Sequence, residues 1–191
     1  GDISFSMDNL KKEEKLNYLA YYDVITGLPN RALFHDRVEQ RIGAAHHDQE
    51  VFSVIMLDLE RFGSINESLG RQAGDSLLRQ LAQRLQQELG ETDILARLSA
   101  DYFGIATQKD DAGADIAHFL EKILSAIQKQ PFLIGGQALR VSARAGVSSY
   151  PADGEDIETL LRNAEAALKK AKLSGDKHLF YAPAFNARVA E

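Results

Sequence analysis

The sequence predicts an α/β (α+β) fold, a central mixed sheet of about five strands flanked by helices. Three observations carry this. Residues Val51 to Asp58 form an apolar, β-branched run of the kind that lies inside a sheet covered on both faces. Ile94–Leu98 and Tyr102–Thr107 read as two short strands around a tight turn at Ser99-Ala100-Asp101. Amphipathic stretches alternate with these strands, which calls for helices packed against a sheet.

In chain order, Asn9 to Tyr22 is the first helix, with Leu10, Leu16, Leu19 and Tyr22 near helical spacing and Asp8 or Asn9 as its cap. Gly27 and Pro29 break it, and a second helix from Asn30 to Ala45 turns Leu33, Phe34, Val38 and Ile42 inward. After the central strand, a short helix follows Ser64 and a longer one runs from Ala73 to Leu89, with Gly90 as its stop. Ala114 to Gln130 is an amphipathic helix ended by Pro131. Gly135-Gly136 joins Phe132–Ile134 to a strand from Ala138 to Tyr150. Ile157 to Leu173 is a helix closed by Ser174-Gly175, and Lys177–Tyr181 is a last edge strand.

Bulk properties narrow the function. The chain has 191 residues, enough for one domain with short connecting arms. Its 22 basic and 28 acidic residues give a net charge of -6, so nothing attracts nucleic acid in general and a phosphate ligand must meet a local site. Cysteine is absent, which excludes disulfides and thiolate metal sites and accords with an expected cytoplasmic location. No apolar run is long enough to span a bilayer and no signal peptide is visible. No membrane insertion of this segment is expected.

Two acids stand out. Asp58 ends the most apolar strand, and Asp101 sits in the hairpin turn. Carboxylates so placed either remain solvated and capping or converge on a hard cation such as Mg²⁺, which also binds substrate phosphates. Residue chemistry alone leaves both readings open.

Five segments then resemble one family in order and spacing. Asp23-Val24-Ile25-Thr26-Gly27-Leu28-Pro29-Asn30-Arg31 resembles D-x-L-T-G-L-x-N-R. The stretch from Asp58 through Phe62, Ile65 and Asn66 to Gly70 resembles D-I-D-x-F-K-x-I-N-D-x-x-G. Gly74-Asp75-Ser76-Leu77-Leu78 matches G-D-x-x-L. Arg97-Leu98-Ser99-Ala100-Asp101-Tyr102-Phe103 stands where R-x-G-G-D-E-F belongs. Ala164 to Gly175 resembles A-D-x-A-L-Y-x-A-K-x-x-G. The family is that of the GGDEF-type diguanylate cyclases, whose fold is akin to the polymerase palm and the adenylyl cyclase catalytic domain. In that family two subunits each present a GTP, and each 3′-hydroxyl attacks the other's α-phosphate.

The resemblance implies roles for single residues. Asp58, Asp101 and the carbonyl of Leu59 fall on the Mg²⁺ ligands. Phe62, Asn66, Asp75 and Lys172 fall on nucleotide contacts, with Asn66 and Asp75 reading the guanine edge and Lys172 reaching the phosphates. Read without the resemblance, both residues have an alternative role open to them, Asn66 as the cap of a local turn and Asp75 as the cap of the Ala73–Leu89 helix. Other working parts are missing. The phosphate-binding lysine is Gly63, the two signature glycines are Ser99 and Ala100, and the second signature acid is Tyr102. A Cβ at a left-handed turn position costs about 1–2 kcal/mol, so Ser99 and Ala100 are expected to strain the turn as well as fill it. Asp176 replaces a basic residue. The product-inhibition motif R-x-x-D reads Gly90-Glu91-Thr92-Asp93 and lacks the arginine that pairs with cyclic-di-GMP.

The expected division is a linker helix over 1–22, resembling the exit of a PAS-like sensor, a GGDEF domain over 23–181, and a connector over 182–191 towards an EAL domain. Together these predict a piece of a longer sensor–GGDEF–EAL protein. Three readings follow for the damaged signature: a catalytically inactive regulatory domain binding GTP–Mg²⁺, a residual cyclase making cyclic-di-GMP, and a structural dimerisation module without nucleotide.

Overall fold

The computed structural model describes residues 2–108 and 114–185. Helix α1 spans Asp2–Tyr21, α2 Arg31–Asp48, α3 Phe62–Leu69, α4 Arg71–Glu88, α5 Ala114–Lys129 and α6 Ile157–Ser174. Strand β1 is Phe52–Leu59, β2 Ile94–Ser99, β3 Tyr102–Thr107, β4 Phe132–Ile134, β5 Gln137–Leu139, β6 Ala143–Tyr150 and β7 His178–Phe180. Residues 186–191 of the expected connector lie outside the described residues.

Five strands make one mixed sheet in the order β2-β3-β1-β6-β7. Strand β1 is central and antiparallel to both β3 and β6, while β7 runs parallel to β6. All eight residues of β1 are buried, as its continuous apolar sequence requires. Alternation splits them between two layers. Ile55, Leu57 and Leu59 join Leu77, Leu81 and Phe119 under α4 and α5. Val54 and Met56 join Phe34, Val38, Leu160 and Leu168 under α2 and α6. Asp58 has the parity of this second layer and so emerges beside α6.

Two features set α6 in place. Asp156 caps it, accepting from the Thr159 N–H at 2.8 Å, and Gly175 ends it at φ 83°. Gly146 on β6 lets the helix approach, because a Cβ there would lie 2.1 Å from the Ala164 carbonyl oxygen and 2.3 Å from the Leu168 nitrogen.

The structure corrects several boundaries. Helix α1 begins at Asp2, seven residues before the capping signal at Asn9, and Leu10, Leu16 and Leu19 on it are exposed. The run expected as one strand from Ala138 to Tyr150 is two strands in different sheets. Gly135 and Gly136, both at positive φ, close a tight β4–β5 hairpin that stands apart, and the chain re-enters the main sheet only at Ala143.

Candidate functional site

The end of β1 gathers the first cluster. Asp58 is 5% exposed, and its register partners are Tyr102 on β3 and Arg144 on β6. Directly opposed residues share a face, so tyrosine, aspartate and arginine form one row across three strands. Lys172, in the last turn of α6, places its ammonium on Asp58 Oδ2. The same ammonium donates to Tyr102 Oη at 3.3 Å and lies 5.1 Å from the centre of that ring. Burial, followed by the nearness of Asp101, pushes the Asp58 carboxyl up to about 6 against the opposing pull of Lys172. Burial acts against the charged form of Lys172, but its contacts with Asp58 and Tyr102 prevail and raise its pKa.

Asp58 Oδ1 has no hydrogen-bond donor although it is buried. Its neighbour Asp101 cannot supply one while both acids are ionised, because carboxylates only accept. Two crowded carboxylates with an unsatisfied buried oxygen fit a hard cation. The Leu59 N–H donates to the Asp101 carbonyl at 3.3 Å, tying the strand end to the hairpin turn. Among the described residues, no group of three or more His, Cys, Asp or Glu converges.

The second cluster lies on α3 and α4. Asn66 rests so tightly against Gly74 that a Cβ there would come within 1.7 Å of Asn66 Oδ1. That oxygen is also buried without a partner. Asp75 follows Gly74 directly and is half-buried. The capping role open to Asp75 is excluded, because α4 starts at Arg71 behind Gly70. Asn66 lies inside α3 and caps nothing with its side chain. The Phe62 side chain belongs to the apolar core, and space around Gly63 is open.

The signature turn is not strained as expected. Among the described residues, the non-glycine positions with positive φ are Gln49 and Arg61, so Ser99 and Ala100 are not left-handed. A register shift between Arg97 and Ser99 absorbs the twist that a two-residue turn would otherwise need glycine to supply. Both side chains are exposed on the turn. Arg97 holds this turn from below. Its guanidinium donates to Ala100 O at 2.7 Å and forks onto Asp23 at 3.0 and 3.2 Å. Asp23 in turn accepts from the Thr26 N–H and hydroxyl, and the Arg97 N–H donates outward to the Pro29 carbonyl at 3.0 Å. The opening motif of the chain therefore braces the hairpin.

Sequence reasoning missed three parts of this picture. Arg144 pairs with Glu60, donates to the Asp176 carbonyl and shares the Asp58 row. Its signal was the strand parity of β6, legible only with the register known. Tyr102, which stands where the second signature acid belongs, is a partner of Lys172. Arg41 of α2 donates to the Thr92 carbonyl and feels the charge of Asp93, so an arginine does stand near the Gly90–Asp93 remnant. Asp93 itself accepts from the Gly90 N–H at 2.8 Å.

Comparison with known proteins adds an independent line. The family described as "Diguanylate cyclase, GGDEF domain" matches residues 20–178. The chain is 36% identical over 182 residues to the bifunctional diguanylate cyclase/cyclic di-GMP phosphodiesterase MucR of Pseudomonas aeruginosa, covering 95% of this chain and 26% of that protein. It is 33% identical over 157 residues to the diguanylate cyclase TpbB of the same organism, covering 82% of this chain and 36% of that one. The solved GGDEF domain of TpbB superposes with a TM-score of 0.84 at 29% identity, covering 90% of this chain and 100% of that chain. A sensory box/GGDEF family protein from Caulobacter crescentus gives 0.77 at 35% identity, covering 81% and 99%. The chain thus spans 26% and 36% of the length of those two curated relatives.

Proposed function

The chain belongs to the diguanylate cyclase GGDEF domain family, and from that membership we propose that it is a regulatory, catalytically inactive domain of cyclic-di-GMP signalling that binds GTP with Mg²⁺. One observation carries the reading. Among the described residues, the two buried side-chain atoms without a hydrogen-bond partner are Asp58 Oδ1 and Asn66 Oδ1. Leaving such a group unsatisfied costs about 1–3 kcal/mol, and a site that awaits a ligand accounts for it. One atom belongs to the acid pair and the other to the guanine-reading pair.

On this reading Asp58, Asp101 and the Leu59 carbonyl hold Mg²⁺, which would neutralise phosphate charge. At the guanine edge the Asn66 amide donates and accepts and the Asp75 carboxylate accepts, and Lys172 meets the phosphates. Phe62 contributes through its backbone, its side chain being committed to the core. Chemistry fails because Gly63 offers no cation, Ser99 and Ala100 crowd the phosphate approach, and Tyr102 supplies no second acid. The domain over 23–181 then acts on its neighbours, a PAS-like sensor and an EAL phosphodiesterase, within a homodimer. The phosphodiesterase named in MucR supports that setting.

Concentrated protein incubated with GTP and Mg²⁺ or Mn²⁺ should form no cyclic-di-GMP detectable by chromatography, since loss of even one electrostatic stabiliser costs about 10²–10³ in rate. Turnover abolished by Asp58→Ala would return the chain to the cyclases. Calorimetry should give GTP a Kd of tens of micromolar or weaker, about -6 kcal/mol or less favourable. Asp75→Ala should erase the preference for GTP over ATP, and Asp58→Ala the need for a divalent cation. No guanine nucleotide binding at millimolar concentration would leave a structural dimerisation module.

A further inference from the structure

Lys172 enters the site from the last turn of α6, which Gly175 caps through its N–H to the Ala171 carbonyl. The side chain of Asp58 is 7% exposed and that of Lys172 is 36% exposed, so the lysine can leave towards solvent while the aspartate cannot. Tyr102 faces Asp58 across the sheet, and its hydroxyl is therefore positioned by the register rather than by a loop. It grips the ammonium through a 3.3 Å hydrogen bond and its ring. An acid in its place would add a charge that also attracts a metal ion. A neutral tyrosine holds the lysine without doing so.

Resting on the GTP–Mg²⁺ reading above, we propose that Lys172 is a resident counter-ion that keeps a divalent cation off Asp58 in the nucleotide-free protein, with Tyr102 as the positioning residue that holds it there. The ammonium on Asp58 Oδ2 neutralises the carboxylate and repels a cation that would approach its unsatisfied Oδ1. A triphosphate that draws Lys172 away removes this repulsion and restores the full carboxylate charge, so nucleotide and cation assist each other's binding, and by linkage the assistance is equal in both directions. The lysine is then a gate on metal entry as well as a phosphate contact.

Manganese binding to the 191-residue chain without nucleotide, followed by electron paramagnetic resonance, tests this directly. Lys172→Met should bind Mn²⁺ about tenfold more tightly than the unaltered chain, a typical size for such coupling. Lys172→Gln should do the same, which guards against a folding artefact of either variant, and Tyr102→Phe should fall between. Adding Asp58→Asn to Lys172→Met should remove the gain. Equal or weaker Mn²⁺ binding by folded Lys172→Met and Lys172→Gln overturns the proposal, as does a gain that survives the loss of Asp58. A Tyr102→Phe chain indistinguishable from the unaltered one overturns the role of Tyr102. Failure to bind GTP sinks the nucleotide reading alone, because the manganese titration contains none.

Discussion

Gly63 is the residue at which damage is simplest to reverse. Nothing lies within 4 Å of a Cβ built there, and the position is in the first turn of α3. A lysine gains over glycine in helix propensity and loses a little to the helix dipole, so stability should change by no more than about 0.5 kcal/mol. If triphosphate lies beside this turn, Gly63→Lys adds roughly 1 kcal/mol of attraction at 4 Å in water, which is about a fivefold tighter GTP Kd. Titration at two salt concentrations checks it, because an electrostatic gain shrinks as screening rises. An unchanged affinity would place the phosphates elsewhere. At this scale the sequence was informative wherever a motif carries chemistry in consecutive residues, as at Asp58, Asn66 and Asp75. It was silent where partners come from distant elements. Nothing in the string joins Lys172 to Tyr102 or Arg144 to Glu60, and a strained turn at Ser99-Ala100 was a fair inference until the register shift relieved it.

Helix α6 shows how one element governs the site. Its depth on the sheet is set by Gly146, where even a methyl group would run into helix backbone. Gly146→Ala should destabilise the chain by about 1–3 kcal/mol through overpacking, read by chemical denaturation, and should lift Lys172 away from Asp58. A variant of unaltered stability would show that α6 can slide at no cost. Element types were legible because period and length agreed, β1 by its unbroken apolar run and α5 and α6 by their stripes. Boundaries failed where the local pattern carries on through a change of partner. Ala138 to Tyr150 has the composition of one strand, yet residues 140–142 cross from the small hairpin to the main sheet. The apolar positions of α1 recur at helical spacing and are nevertheless exposed, because periodicity reports a face and not what covers it.

The whole molecule is two apolar layers sharing one central strand. Met56 and Leu57 are neighbours in sequence and lie in opposite layers. Met56→Ala and Leu57→Ala should each cost about 2–5 kcal/mol, and each should shift far-ultraviolet and near-ultraviolet unfolding curves together. Separate transitions for the two probes would mean that the layers unfold independently. The sheet's outer margins bear on a different property, the behaviour of many copies at high concentration. Strand β7 is three residues long, and the opposite margin, β2, already spends the Arg97 N–H on the Pro29 carbonyl. A short strand on one side and an edge partly occupied by the chain's own loop on the other are features that disfavour extension of the sheet by another chain.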